Sequence, residues 1–367
     1  LTGELDIAAR WKKTGRLPMK NMLGVAVLLG TAVAGVSVIG AIQAADQQLQ
    51  QPAWAYGVPP PPAPGATPPA PARDDGKIFT LPGSDKKFTF NQIRGRRDND
   101  TPARVAPADW YPQDHPTMPK IVAEGDDSRG IVACSLCHYP NGKGRSENAS
   151  PQGLPREYIT RQLHDMRDDM RASAERRKAN TQAMVSFAKA MTEDEIQAAA
   201  SYFSSMQWTP WIKVVETTTV PKTRSQGGLF IPLQGAAAGM EPIGNRIIEV
   251  PVDSDHTETL RDPHSPFIAY VPVGAVAKGK ELVTTGGGGK TIQCALCHGE
   301  NLNGVGSVPG IAARSPSYIA RQLNDIQQGA RHGDMAELMK QVVAKLTPDD
   351  MLNIVAYTAS LPAPASK

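Results

Sequence analysis

Four cysteines fall into two pairs, each closed by a histidine: Cys134-Ser135-Leu136-Cys137-His138 and Cys294-Ala295-Leu296-Cys297-His298. Two thiols three positions apart can each add to a vinyl group of one porphyrin, and the imidazole that follows then lies beneath the iron as its proximal ligand. The spacing predicts two covalently bound haem c groups, one on Cys134, Cys137 and His138, the other on Cys294, Cys297 and His298. Zinc would need four ligands gathered together, and these five-residue units lie 160 positions apart. A thiol–disulfide redox pair has no use for a histidine in the same place twice. The two motifs use every cysteine, so no disulfide is expected.

A haem iron needs a sixth ligand, and that choice decides the chemistry. Methionine raises the reduction potential and closes the iron to outside ligands; an open position would permit catalysis. Met184 and Met339 are the methionines that coincide under the internal repeat described below, so the metal ligands are read as His138 and Met184, His298 and Met339. Met335 is the nearest rival, but its counterpart is Asn180, which cannot serve. His115, His164, His256, His264 and His332 do not repeat, which makes a bis-histidine iron the lesser reading. Pro151 and Pro309 follow the motifs at 13 and 11 residues, and a carbonyl there is expected to accept from the proximal imidazole. Arg161, Arg171, Arg321 and Arg331 recur in both copies, and a guanidinium suits a carboxylate bidentately, so they are expected on the haem propionates. No residue is read as catalytic.

The elements that must hold these groups are themselves duplicated. An offset of 160 carries Tyr158-Ile159-Thr160-Arg161-Gln162-Leu163 onto Tyr318-Ile319-Ala320-Arg321-Gln322-Leu323 and Arg171 onto Arg331. Beyond Arg171 the offset becomes 155, carrying Met184, Thr192 and Tyr202 onto Met339, Thr347 and Tyr357. Val122-Ala123-Glu124-Gly125 similarly resembles Val276-Ala277-Lys278-Gly279. Two homologous domains follow, at 120–207 and 273–367, each of three helices around a cofactor. Ile159, Leu163, Met166 and Met170, and again Ile319, Leu323 and Ile326, recur at helical spacing. The last helix of each copy starts at a capping signal, Thr192 to Glu195 and Thr347 to Asp350.

Around the repeats the chain has distinct regions. Residues 1–21 form a polar segment with Lys12, Lys13, Arg16 and Lys20, and Met22 to Ala45 is uncharged throughout, 24 residues that at 1.5 Å each reach across a bilayer. Ile42-Gln43-Ala44 is a poor cleavage site, so 22–45 is read as a transmembrane anchor with the basic segment in the cytoplasm. The haem domains then lie on the periplasmic side of a bacterial inner membrane. Residues 46–72, with nine prolines from Pro52 to Ala72, read as an extended linker. Residues 73–119 form an extension in which Phe79, Leu81, Phe88 and Phe90 suggest a hairpin, and Trp110 to Pro116 a loop wrapping the first domain. The insertion at 208–272 is too long for a bare linker and carries three strand-like runs, Ile212 to Thr217, Arg246 to Val250 and Phe267 to Val271. The fold class is therefore mainly α: two tandem haem domains, a short antiparallel β excursion between them and one N-terminal transmembrane helix. Formal charge is +3, and four propionates bring it to about −1, which predicts no nucleic acid or other strong polyanion. Arg167, Arg171, Arg176, Arg177 and Lys178 read as a basic patch on the first domain.

Two C-x-x-C-H domains that continue through Tyr-Ile-x-Arg-Gln-Leu, a Gly-x-Arg element (Gly329-Ala330-Arg331) and a late methionine resemble the cytochrome c4 group of class I dihaem cytochromes, over about 121–206 and 273–361. The resemblance implies two cytochrome c domains with His/Met haems close enough for transfer between them. It also implies a protein that relays single electrons between periplasmic or membrane respiratory partners. The anchor, linker, extension and insertion depart from that group, and the first copy lacks the glycine before its arginine. They favour a subunit of, or a carrier tethered to, a larger complex. The alternatives are the cytochrome subunit of a cbb3-type oxidase or membrane dehydrogenase, and a dihaem peroxidase, against which two methionine ligands argue.

Overall fold

The computed structural model describes residues 51–61, 65, 74–96 and 106–363. The expected span at 22–45 lies outside them. Among the described residues no helix is long and apolar enough to cross a membrane.

Each repeat folds into the expected helices. In the first, α1 (Cys134–His138) carries the motif and is followed by α2 (Arg156–Arg167), α3 (Ala179–Ala190) and α4 (Glu193–Ser204). In the second, α5 (Ala275–Thr285) precedes α6 (Ala295–His298), α7 (Pro316–Gln327), α8 (Asp334–Val343) and α9 (Pro348–Ser360). The apolar stripes point inward as their spacing requires: Ile159, Leu163 and Met166 are buried on α2, Leu323 and Ile326 on α7. Helix α2 ends at Arg167, so Met170 lies beyond the stripe it was expected to extend. Both last helices start at a reciprocal cap: the Thr192 amide donates to the Glu195 carboxylate at 2.9 Å, and the Thr347 amide to Asp350 at 3.0 Å.

Similar stretches ahead of the motifs fold differently. Gly279 lies within α5, where a Cβ would meet the Asn353 carbonyl oxygen at 1.9 Å, so its hydrogen lets α5 cross α9 closely. Gly125 instead has φ 72° and leads from one helical turn (Lys120–Ala123) into a two-residue antiparallel pairing with Ile131–Val132.

Strands β1 (Ile212–Thr217), β2 (Ile248–Pro251) and β3 (Phe267–Pro272) form one sheet in the order β1-β3-β2. Strand β2 is antiparallel to β3, but β1 runs parallel to β3, with Ile212 opposite Phe267 and Thr217 opposite Pro272. The purely antiparallel expectation is therefore corrected. Strand β1 leaves the first domain and β3 enters the second, and residues 218–266 supply the long crossover that a parallel pair needs. From β2, the buried Glu249 carboxylate accepts from the Ser315 hydroxyl at 2.9 Å and the Ser317 amide at 3.2 Å, fixing the start of α7.

The extension packs chiefly on the insertion, with the His115 ring 6.2 Å from that of Tyr202 in the first domain. Its hairpin reduces to one bridge, Phe79 with Phe88, and Phe90 opens a single helical turn. Leu81, Ile93, Trp110 and Tyr111 form a small core that includes Leu260 of the insertion. The Trp110 indole donates to the Leu260 carbonyl at 2.7 Å, and the Tyr111 ring stacks on His264 with centroids 3.9 Å apart. The Asn141 amide donates to the Pro263 carbonyl at 3.2 Å, joining this clamp to the loop after the first motif.

The linker needs a second correction. Ala53–Tyr56 is a helical turn seated in the second domain's core, with Trp54 and Val58 packed beside it. Tyr56 is 1% exposed; its hydroxyl donates to Asp325 at 2.9 Å and accepts from the Asn324 amide at 2.7 Å. The apolar side chains between the prolines bring enough surface to anchor the segment, which a count of prolines conceals.

Candidate haem-binding sites

Each repeat encloses one deep cleft. The first is lined by Cys134, Cys137, His138, Leu163, Met184 and Phe203 among others, the second by Cys294, Cys297, His298, Leu323, Ile326 and Met339. Counted to their mouths they hold about 1270 and 1480 Å³ of empty space. The predicted cysteines, histidine and methionine of each copy therefore meet in one cavity. Met335 also lines the second cavity; its counterpart Asn180 lines the first and donates to the Asn148 side-chain carbonyl at 2.6 Å. The five remaining histidines line neither.

The imidazoles are set by the backbone. His138 Nδ1 lies 2.9 Å from the Ala149 carbonyl oxygen and His298 Nδ1 2.8 Å from that of Pro309. A carbonyl only accepts, so Nδ1 carries the proton and Nε2 keeps its lone pair for a metal. Both acceptors lie 11 residues past the histidine. Pro309 is as expected; Ala149, not Pro151, is its partner, because the loop geometry repeats by position and not by residue type. Burial holds both imidazoles below their usual pKa, in the neutral form that ligation requires. Burial also pushes the Cys134 thiol up to about 12 and the Cys294 thiol up to about 11. Those are not the activated thiolates of an exchange pair. Among the described residues no group of three or more His, Cys, Asp or Glu is placed to hold a bare metal ion.

The four arginines divide crosswise. Arg171 and Arg321 line the first cavity, Arg331 and Arg161 the second, so each cleft takes one arginine from its own repeat and one from the other. Between the clefts stands a shared wall: Tyr158, Gln162, Tyr318 and Gln322 line both. Arg171 donates to Gln162 (2.9 Å), Tyr318 (3.0 Å) and Gln322 (2.9 Å); Arg331 answers with Gln322 (3.1 Å), Tyr158 (3.2 Å) and Gln162 (2.8 Å). The Ala172 amide donates to Ala330 at 2.7 Å and the His332 amide to Met170 at 2.9 Å. The glycine missing from the first copy changes nothing in the backbone. Asp169 takes φ 60° where Gly329 takes 73°, a conformation aspartate tolerates.

These clefts fit a porphyrin with two acid side chains. Their walls are mainly apolar, and their polar groups collect at the shared end. There Arg331 Nε is buried without a partner, and the Lys178 ammonium meets a single carbonyl, that of Tyr56 at 3.2 Å. Lys178 has no basic counterpart in the repeat and was legible only as part of a basic patch. That patch is corrected: Arg171 and Lys178 are buried, Arg167 pairs with Asp168 at 3.2 Å, and Arg177 with Glu175 at 2.7 Å. Arg314 also escaped notice, since its counterpart is Leu154. It lies 4.2 Å over the Trp208 ring and donates to the Ser150 carbonyl at 2.7 Å, tying the domains together.

The profile of the Cytochrome c family matches residues 276–362. The chain is 22% identical over 245 residues to the thiosulfate dehydrogenase electron acceptor of Stutzerimonas stutzeri, covering 66% of this chain and 85% of that protein. It is 28% identical over 161 residues to cytochrome c4 of Azotobacter vinelandii, covering 38% and 76%. The crystal structure of reduced cytochrome c4 from Pseudomonas stutzeri superposes with a TM-score of 0.41 at 19% identity, over 64% of this chain and 97% of that one. The chain thus contains a cytochrome c domain, is homologous to the dihaem cytochromes c4 and the thiosulfate dehydrogenase electron acceptors, and carries covalently bound haem c.

Proposed function

We propose that this protein is a two-haem electron relay. Cys134 and Cys137 would hold one porphyrin, with His138 and Met184 as iron ligands, and Cys294 and Cys297 the other, with His298 and Met339. Bound haem c supplies a one-electron iron couple. The chain would orient both groups, keep water off them with Leu163, Phe203, Leu323 and Ile326, and supply a thioether to each iron. The observation that carries this reading is the shared wall: Tyr158, Gln162, Tyr318 and Gln322, with Leu154, line both clefts. Arg161, Arg171, Arg321 and Arg331, with Lys178, meet the propionates there.

The partners are redox proteins on the periplasmic face of a bacterial inner membrane, with residues 22–45 as the anchor. The relatives named as electron acceptors of thiosulfate dehydrogenase favour a soluble or membrane-bound dehydrogenase as the donor, with a respiratory complex as the acceptor. The seated Ala53–Tyr56 turn favours a head held as part of such a complex over one that ranges freely. The test is the spectrum of the purified protein. Two low-spin haems per chain are expected, and Met339→Ala abolishes the long-wavelength methionine–iron charge-transfer band for one of them only. Two haems that both keep the band overturn the ligand assignment in the second domain.

A further inference from the structure

The two motifs share their geometry and differ in what surrounds their rims. Three arginines from three separate segments converge beside the first. Arg145, in the loop after α1, pairs with the buried Glu147. Arg261, from the insertion, lies 5.5 Å over the ring of Tyr139, the residue after the histidine. Arg94, from the extension, donates to the Glu258 carbonyl and packs with Arg96 on Phe90. Arg94 Nε, Arg145 Nε and the Tyr139 hydroxyl are buried without partners.

The acids nearby do not balance this cluster. Glu147 faces Arg145, Glu258 pairs with Arg224 at 3.0 Å, and Asp262 with His256 at 2.8 Å. Arg94 records the surplus: burial and the charges of Arg261, Arg96 and Arg145 pull its pKa down to about 10. At the second motif the counterparts of Tyr139, Arg145 and Glu147 are Gly299, Val305 and Ser307, and neither Arg94 nor Arg261 has a counterpart.

We propose that Arg94, Arg145 and Arg261 make the first haem the higher-potential centre, so that an electron taken up by the pair comes to rest in the first domain. Reduction of Fe(III) to Fe(II) adds one negative charge. A buried surplus of cations stabilises that charge, and a covered rim disfavours the more highly charged oxidised form. Both effects are weaker at the open second rim. This rests on the two-haem reading above.

The test is an optical potentiometric titration of the full haem-loaded protein. Met339→His, which substitutes a stronger donor for the thioether, lowers one wave and so labels the second haem. If that variant moves neither wave, the ligand reading fails independently of this proposal. Arg261→Gln and Arg145→Gln are each expected to lower the other, upper wave by about tenfold in its equilibrium, about 59 mV for one electron. Arg261→Lys keeps the charge and leaves that wave in place. Should the glutamine variants not fold, Val305→Lys at low salt places a cation on the exposed second rim and raises the lower wave. A first haem that titrates below the second, or glutamine variants that move neither wave or only the lower one, overturns the proposal, as does an unmoved lower wave in Val305→Lys.

Discussion

The first attachment motif lies beside the insertion, with Arg261 over the Tyr139 ring, whereas the second motif faces solvent. Around the second motif Leu296 is 72% exposed, Leu338 67% and Val305 59%, and Cys297 is exposed beside them. In the first, Tyr139 is buried, Leu136 is partly covered and the rim is arginine-lined. The same attachment chemistry thus serves two stations. One has a covered motif with arginines beside it; the other shows an apolar margin to whatever approaches. What distinguishes the two stations is the set of segments beside each motif, not the motif residues themselves.

The largest effect that sharpens this contrast comes from removing one haem at a time. Cys294→Ala with Cys297→Ala should leave one covalent haem by mass spectrometry, and the survivor at the covered motif should exchange electrons with small proteins more slowly than the survivor of Cys134→Ala with Cys137→Ala. Equal rates would break the comparison. Next in size, Tyr56→Ala should cost about 3–5 kcal/mol in denaturant unfolding, since a large ring leaves a packed core. Tyr56→Phe should cost about 1–3 kcal/mol for the lost Asp325 and Asn324 bonds. A Tyr56→Ala variant as stable as the parent would show that the segment is not seated.

Smaller still, Gly279→Ala should cost about 1–3 kcal/mol by forcing α5 from α9. Denaturant unfolding of Gly279→Ala checks this, and a variant as stable as the parent would show that the crossing is not crowded.

The least effect concerns the helix starts. Helix α2 begins at Pro155 without a side-chain cap, whereas α7 has Ser315 and the buried Glu249. Burial raises the Glu249 pKa above 4.5 in the folded state, so the folded form holds its proton more tightly than the unfolded one. Its contribution is full below about 4.5 and fades as pH climbs toward the raised value. The decline is at most about 1.4 kcal/mol for each step of one in pH. Glu249→Gln should flatten it in melts taken across mildly acidic to neutral pH; an unchanged slope would assign it to other groups.

The sequence carried the repeated parts of this molecule well, because duplication doubles every signal. The α2 and α7 stripes and the Thr192 and Thr347 caps are where their spacing puts them, and each motif shares its cleft with the methionine of its own copy. Strand direction was not legible, since Ile212 to Thr217 reads the same whichever way its partner runs. The crossing of Arg161 and Arg321 into each other's clefts was also hidden, because a repeat shows that a residue recurs and not which copy it serves. The tyrosines and glutamines of the shared wall did leave a trace: polar side chains recurring beside an apolar stripe. Arg94, Arg145 and Arg261 left none, as 167 positions separate the first from the last.

The reciprocal grip of Arg171 on Tyr318 and Gln322, and of Arg331 on Tyr158 and Gln162, is isologous: patch meets its own equivalent, as in a two-fold dimer. A symmetric pair of single-haem chains would bind itself through this surface, and both halves would be bound to change together. Fusion into one polypeptide lifts that constraint. Each copy keeps its side of the handshake while its outer face is free to specialise, and the molecule acquires a direction that no symmetric ancestor can have.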